Sequence, residues 1–261
     1  DVRRSLLIPV VCMQTIAANL GSMLTPIGNP QNLYLYGKSG MSIGGFVLLM
    51  LPYTLVSLLL LLAWAALVCR KASAALSVDE LVSSSASQGD QKIILLYLVL
   101  FAVCLLSVIR VLPYGIAFAA VLLCALFADP HTLRAVDYSL LLTFVAFFIF
   151  IGNLGRIPAF SGWLQEFLTS REVLVAVLAS QVTSNVPAAL LLSGFTAETQ
   201  ALIIGTNLGG LGTLIASMAS LISYRQIARE LPQGKKQYFG LFTLSNLIFL
   251  ALLLGVWFLL R

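Results

Sequence analysis

The chain has 261 residues, of which 60% are hydrophobic and only 10% charged, and its mean hydropathy is +1.00. An ordinary globular domain is about 25% charged, so too little polar sequence remains here to cover a large soluble core. The net charge of +5 does not indicate a nucleic-acid partner, because the basic residues lie at the ends of apolar segments, where lipid headgroups explain them better. The composition predicts an all-α integral membrane protein.

The first apolar segment covers residues 6–24 and is interrupted by TPIGNPQN at 25–32. A short apolar continuation at 33–36 and a second span at 43–69 follow. We expect residues 1–69 to form the C-terminal part of a first structural repeat. Because the chain opens without Met and almost at once in an apolar stretch, we expect the rest of that repeat to precede this sequence.

Residues 70–92 are polar and Ser-rich, which is typical of a linker. Residues 93–261 are predicted to form a second, complete repeat. Its expected elements, in chain order, are spans at 93–109, 114–128 and 138–151, an interfacial amphipathic helix at 157–169, a re-entrant hairpin at 173–195, a broken helix at 197–224 and a last span at 238–260.

The distribution of Lys and Arg distinguishes a hairpin at 173–195 from a full crossing. With a hairpin, ten basic residues lie on one side of the membrane and five on the other. The positive-inside rule then places the linker and a basic loop at 225–236 in the cytoplasm. A full crossing would move the four basic residues of 225–236 and Arg261 to opposite sides, which removes the bias and leaves seven against eight. The count favours the hairpin, in a multi-pass protein of the cell (inner) membrane.

Two interrupted stretches resemble each other: ANLGSMLTPIG at 18–28 and TNLGGLGTLIA at 206–216, about 188 residues apart. The identical pairs are Asn19 and Asn207, Leu20 and Leu208, Gly21 and Gly209, Thr25 and Thr213, and Ile27 and Ile215. In the favoured orientation the two stretches run in opposite directions across the membrane. This is the pattern of inverted-topology repeats in secondary transporters.

The residue types of these interruptions suit helix breaks inside a membrane. An unpaired backbone group in hydrocarbon costs several kcal/mol, so a break must face protein, water or a ligand. Glycine permits unusual dihedrals and proline prevents the helix from re-forming, while Asn and Thr offer neutral donors and acceptors. TSNVP at 183–187 supplies the turn chemistry of a hairpin tip. Helix packing through small residues and a kinked single span are the structural alternatives.

The motifs NLGSMLTPIGNPQN, TSNVPAALLL and GTNLGGLGTLIASMASLI together resemble the ion-transporter superfamily of arsenite-, citrate- and dicarboxylate-type permeases. The likeness is greatest to its bacterial anion-permease branch, with a citrate-transporter-like domain. The resemblance implies repeats that each contain spans, an interfacial helix, a re-entrant hairpin and a broken helix. It implies a substrate- and ion-binding region formed by Asn19, Gly21, Thr25, Gly28, Asn29, Thr183, Ser184, Asn185, Pro187, Asn207, Gly209 and Thr213.

The resemblance implies a secondary active transporter that moves a small anion by alternating access. An arsenite-type exporter or a cation/proton antiporter is the alternative within the superfamily, and a non-transporting membrane subunit is the alternative outside it. Dicarboxylate-type members carry Ser-Asn-Thr at the hairpin tip, whereas this chain has Ser184, Asn185 and Val186 there. An enzyme is not expected, since the single histidine, His131, lies in a loop far along the chain from Ser184.

All ten acidic residues lie outside the apolar segments, so none of them is an intramembrane proton relay, but the hairpin expected to precede this sequence leaves room for such a carboxylate. The coupling ion therefore stays open between sodium, a proton and none; sodium would take Asn19, Asn185, Asn207 and nearby carbonyl oxygens as its ligands, and no other cofactor is expected. The expected partners are a small anionic solute and membrane lipid, with a homodimer left open.

Overall fold

The structure is a computed structural model that describes residues 2–72 and 91–261, and every regular element in these ranges is helical. This confirms the all-α prediction. The helices are α1 (Val2–Gly21), α2 (Pro30–Ser39), α3 (Ile43–Ala72), α4 (Gln91–Val108), α5 (Tyr114–Ala128), α6 (Pro130–Arg134), α7 (Tyr138–Leu154), α8 (Pro158–Leu168), α9 (Glu172–Thr183), α10 (Asn185–Leu192), α11 (Thr199–Leu208), α12 (Met218–Glu230) and α13 (Lys235–Leu260).

Several helices in the described ranges have the length and composition to cross a bilayer. Four qualify individually, and the count rises to five if the bent pair α7–α8 is taken as one span. The four are Leu6–Leu24, Ile43–Val68, Gln91–Val108 and Pro232–Leu260. Helix α5 occupies the predicted span at 114–128, but its 15 residues fall short of a usual crossing.

Helix α8 lies where the sequence predicts an interfacial helix, and it turns by 100° from the direction of α7. Leu164 and Leu168 are buried on one face. Trp163 and Phe167 lie on another face, where they are exposed and stack with ring centroids 5.6 Å apart. Exposed aromatic rings are typical of the headgroup region of a membrane, so this geometry suits the predicted location.

Three boundaries and one predicted loop differ from the sequence predictions. The first break ends earlier than residue 32 because α2 begins at Pro30, where proline's fixed φ favours the first helical position. The predicted basic loop at 225–236 is helical up to Glu230, since its residues are good helix formers, and only 231–234 separate α12 from α13. Residues 73–90 of the predicted linker lie outside the described residues, while its ends belong to α3 and α4.

The fourth difference concerns the loop around His131, which forms the short helix α6 with its histidine exposed. Asp129 caps this helix: its carboxylate accepts hydrogen bonds from the Thr132 hydroxyl (2.7 Å), the Tyr97 hydroxyl (2.8 Å) and the Thr132 amide (3.3 Å). The hydroxyl of Thr132 and then that of Tyr97 lower the pKa of Asp129 from its ordinary value.

The chain divides into two compact units, Leu76–Val145 and the remainder, Asp1–Ala75 with Ala146–Arg261. The smaller unit contains α4, α5 and α6, with few buried side chains, such as Leu100. In the larger unit, α1 packs against α3, α12 and α13, and α2 packs against α10 and α11. The larger unit contains the two predicted broken helices and the predicted hairpin.

Candidate solute-binding site

The first break lies between α1 and α2. After Gly21 the chain makes one 3-10 turn, becomes extended at Thr25, and turns again where the Gly28 amide donates to the Thr25 carbonyl at 3.1 Å. A Cβ on Gly28 would lie 1.7 Å from the Ser22 carbonyl oxygen, so this close backbone approach requires glycine. Asn29 then caps α2 by accepting from the Asn32 amide at 3.3 Å.

The second break lies between α11 and α12 and is also built on glycine. A Cβ on Gly209 would lie 2.6 Å from the Ser180 hydroxyl oxygen of α9. Gly212 has φ +107°, a conformation that other residues rarely adopt. Ser217 caps α12 by accepting from the Ser220 amide at 3.4 Å. Both breaks therefore end with a small polar residue that caps the following helix.

The two breaks hold each other through asparagine side chains. The Asn207 Oδ1 accepts from Asn29 Nδ2 (3.3 Å), and its Nδ2 donates to Asn32 Oδ1 (2.6 Å). In the same way, the Asn19 Oδ1 accepts from Ser217 Oγ (2.7 Å).

The Asn19 Nδ2 completes the second set by donating to Ser220 Oγ at 3.4 Å. Along the chain, Ser217 and Ser220 are offset from Asn29 and Asn32 by the number of residues that separates Asn19 from Asn207. Asn207 therefore accepts from Asn29 and donates to Asn32. Asn19 likewise accepts from Ser217 and donates to Ser220, which are the equivalent positions of the other repeat. The C-terminal end of each first half-helix is thus tied to the N-terminal end of the opposite second half-helix.

The predicted hairpin tip adjoins the second break. Helices α9 and α10 pack against each other, as the arms of a hairpin do, and are separated by Ser184 alone. The Ser184 hydroxyl donates weakly to the Ala216 carbonyl at 3.4 Å. The Asn185 carboxamide is buried beside Gly210, where an added Cβ would lie 3.0 Å from Asn185 Nδ2. Pro187 falls in the first turn of α10, where its missing amide hydrogen is not needed.

Not every predicted site residue joins this cluster by its side chain. Thr183 is exposed, and its hydroxyl donates back to the Ala179 carbonyl at 3.0 Å. Gly21 ends α1, but a Cβ there would meet nothing within 4 Å. Thr25 contributes its carbonyl, which accepts from Asn32 Nδ2 at 3.5 Å. Thr213 is exposed and tied to α9. The structure brings together Asn19, Gly28, Asn29, Ser184, Asn185, Asn207 and Gly209.

Gln181 is a residue that the sequence reasoning missed. Its Nε2 donates to the carbonyls of Gly209 (3.0 Å) and Leu211 (2.9 Å), and its Oε1 accepts from the Thr213 amide at 2.8 Å. One carboxamide thus satisfies three backbone groups of the second break from the hairpin arm α9. The available signal was an amide inside an apolar helix, one turn before the predicted tip.

The cluster carries no formal charge. Among the described residues, the buried polar side chains are all hydroxyls and carboxamides, and no group of acidic, histidine or cysteine side chains is placed to hold a metal ion. Neutral dipoles in a low-dielectric interior bind an ion through individual oxygen and N–H groups. The cluster can therefore contact an ion only through oxygen and N–H dipoles.

Ser184 offers a test that separates backbone strain from side-chain chemistry. Its φ of 76° and ψ of 153° lie in a region that is essentially restricted to glycine. We expect Ser184→Gly to raise stability by about 1 kcal/mol, whereas Ser184→Ala keeps the strain and is no more stable than wild type. Thermal unfolding midpoints of both variants measure the strain, and a lower midpoint for Ser184→Gly would contradict it. If the hydroxyl contacts the solute, both variants lose transport equally.

A sequence model of a family described as "Citrate transporter" matches residues 2–202. Over 222 residues the chain is 34% identical to the inner membrane protein YbiR of Escherichia coli (strain K12), an alignment covering 83% of this chain and 58% of that protein. Over 216 residues it is 32% identical to the uncharacterized transporter MJ0456 of Methanocaldococcus jannaschii, covering 83% and 57%. The chain thus spans less than three fifths of the length of these relatives.

Proposed function

Because the chain belongs to the citrate transporter family, and is therefore part of a membrane permease, we propose that it is a secondary active transporter that moves a small anion by alternating access. The observation that carries this proposal is the reciprocal pairing of the two breaks. Asn19 bonds to Ser217 and Ser220, and Asn207 bonds to Asn29 and Asn32. Two equivalent and opposed half-sites are what a transporter with two alternating openings requires.

The strength of these ties also supports alternating access. Each tie is a neutral side-chain hydrogen bond, with a net contribution of about 1 kcal/mol. The Asn19–Ser220 and Asn29–Asn207 bonds, at 3.4 and 3.3 Å, are longer than the usual N–H···O distance. A few such bonds hold one arrangement and still exchange for bonds to water or solute without a large barrier.

The helix ends favour an anionic solute. Helices α2, α10 and α12 all begin at the breaks or at the hairpin tip. The N-terminus of a helix carries partial positive charge, which attracts anions. Side chains cap α2 and α12, whereas α10 begins without a side-chain cap. Since buried charged side chains are lacking among the described residues, these helix ends are the positive groups of the cluster. The family description names citrate, which is an anion of this class.

Sodium fits the cluster as a coupling ion. The carboxamide oxygens of Asn19 and Asn207 each accept one hydrogen bond from the protein, which leaves one lone pair on each oxygen. Carboxamide and carbonyl oxygens are ligands that hard cations accept. Asn185 lies beside the second break with its carboxamide buried. When bound, sodium would supply positive charge that offsets the charge of the solute.

The proposed location is the inner membrane, which the protein would cross several times; the relative from Escherichia coli is named an inner membrane protein. Exposed leucines on α3, such as Leu48 and Leu59, offer an apolar surface to lipid.

Removing the amides of the site should reduce uptake strongly. We expect Asn207→Ala to leave the Asn29 and Asn32 carboxamides without their bonds across the breaks, and Asn185→Ala to remove the amide at the hairpin tip. Each should reduce uptake by the full-length protein in liposomes at least tenfold: Asn207→Ala loses two neutral bonds of about 1 kcal/mol each, and Asn185→Ala loses one bond to a charged solute.

The matched control is Asn153→Ala, because Asn153 is an exposed asparagine on α7. Expression and melting midpoint should stay close to wild type for this control. Unchanged uptake in both Asn185→Ala and Asn207→Ala would contradict the site. Sodium and proton gradients imposed separately on the same liposomes identify the coupling ion, and uptake driven by an opposed proton gradient alone would favour antiport instead.

A further inference from the structure

Gln31 is buried without any hydrogen-bond partner for its carboxamide. Its exposed fraction is 1%, and neither Nε2 nor Oε1 has a partner. Within the described ranges it is the one side chain with both polar atoms in this state, since Asn246 leaves only Oδ1 unpaired and donates from Nδ2 to the Phe242 carbonyl. Native proteins rarely leave buried amides unpaired, so the amide of Gln31 calls for a partner that these helices do not supply.

The position of Gln31 places it at the candidate site. It is the second residue of α2, between Asn29, which caps that helix, and Asn32, and both neighbours bond to Asn207 of α11. The buried face of α2 consists of Gln31, Asn32, Leu35 and Tyr36. Since α2 packs against α10 and α11, Gln31 shares a buried face with an amide that already reaches across the two breaks.

We propose that the carboxamide of Gln31 pairs with the transported solute and selects carboxylates that bear a hydroxyl group on the neighbouring carbon. A carboxamide presents one N–H donor side and one acceptor oxygen at the same end. A carboxylate oxygen accepts from Nε2, and an adjacent hydroxyl donates to Oε1. A carboxylate without the hydroxyl would satisfy only Nε2 and leave Oε1 unpaired. This inference rests on the proposed function and assigns the residue that distinguishes among its solutes.

The arrangement also predicts a free-energy cost for the solute-free form in which α2 is packed against α10 and α11. Both amide atoms are inaccessible to water here, so solute reaches Gln31 only when α2 separates from the helices packed on it. A buried unpaired amide destabilises the form that contains it. Gln31 therefore disfavours closure without solute, and a bound hydroxycarboxylate removes this penalty.

The test uses Gln31→Met in the full-length protein, because methionine has nearly the same length and shape but cannot pair with the solute. The probes are citrate and tricarballylate, which share a carbon skeleton and differ in one hydroxyl. We expect Gln31→Met to raise the melting midpoint of the solute-free protein in detergent by roughly 2–4 °C. Wild type should bind citrate roughly tenfold more tightly than tricarballylate, and the variant should bind both equally.

The control is Gln165→Met, at an exposed glutamine of α8, which should keep the wild-type midpoint and the wild-type preference. A lower midpoint for Gln31→Met would show that the amide makes stabilising bonds, and would overturn the inference. Retained preference for citrate in Gln31→Met would overturn it as well. Equal binding of citrate and tricarballylate by wild type would also overturn the inference. If the two probes bind equally only when sodium is present, Oε1 pairs with the cation rather than with a hydroxyl group. If wild type binds neither probe, the inference fails; the proposed function fails with it only if the liposomes also take up no other small anion.

Discussion

Gly28→Ala is expected to eliminate transport and to destabilise the protein by at least about 3 kcal/mol. The new Cβ would lie 1.7 Å from the carbonyl oxygen of Ser22 and 2.6 Å from its carbonyl carbon. Both are backbone atoms, so no side-chain rotation relieves the overlap. The first break would have to open, which moves Asn29 away from Asn207 and separates the two half-sites. Uptake in liposomes and the unfolding midpoint measure the two effects.

Gly37→Ala is the matched control for this prediction. Gly37 lies on an exposed part of α2, and a Cβ there would meet nothing within 4 Å. Alanine favours the helix interior over glycine by about 1 kcal/mol, so this variant should be as stable as wild type or more so. Normal transport by Gly28→Ala would show that the first break does not adopt the described backbone.

Gln181→Leu is expected to have the second largest effect, through the second break. The carbonyls of Gly209 and Leu211 lose their donor and the Thr213 amide loses its acceptor. Each buried carbonyl left unpaired costs about 1–3 kcal/mol, and Gly209 and Leu211 are buried. We expect a clear fall in the unfolding midpoint together with a loss of uptake of at least tenfold.

Gln181→Glu identifies which half of the amide matters. Glutamate still accepts from the Thr213 amide, but it cannot donate to two carbonyl oxygens and it brings a charge beside them. It should therefore be at least as damaging as Gln181→Leu. Gln200→Leu, at an exposed glutamine of α11, is the control. Full activity in Gln181→Glu would mean that the two carbonyls have other donors when the transporter works.

The sequence correctly predicted the elements whose signal is local. The spans at 6–24 and 43–69 match Leu6–Leu24 and Ile43–Val68, since length and apolar composition decide membrane insertion segment by segment. The interruption at 25–32 and the one inside 206–216 were located because glycine, proline and asparagine act on their own stretch of backbone. The prediction of a basic loop at 225–236 was wrong. It interpreted a charged stretch as a loop, whereas arginine, glutamine and glutamate are also good helix formers.

The likeness of the two NLG motifs also determined more than the positions of the breaks. Asn29 and Asn32 correspond to Ser217 and Ser220 by the offset of the repeat, although the residue types differ. A search for equivalent polar positions rather than identical residues would have identified both serines. Searching only for identical residues missed these positions, because a hydrogen bond across the breaks needs a donor and an acceptor at the equivalent positions and not the same residue type.

The amino-acid sequence by itself determined the class of protein, the places where its helices break and the neutral chemistry at those breaks. Only the tertiary structure decided which groups meet there. It paired Asn19 with α12 and Asn207 with α2, used Gln181 to satisfy the second break, and left the amide of Gln31 buried and unpaired. The physical reason is that helix breaks follow from short-range backbone preferences, whereas the partner of a polar side chain depends on which distant helices become neighbours when the chain packs.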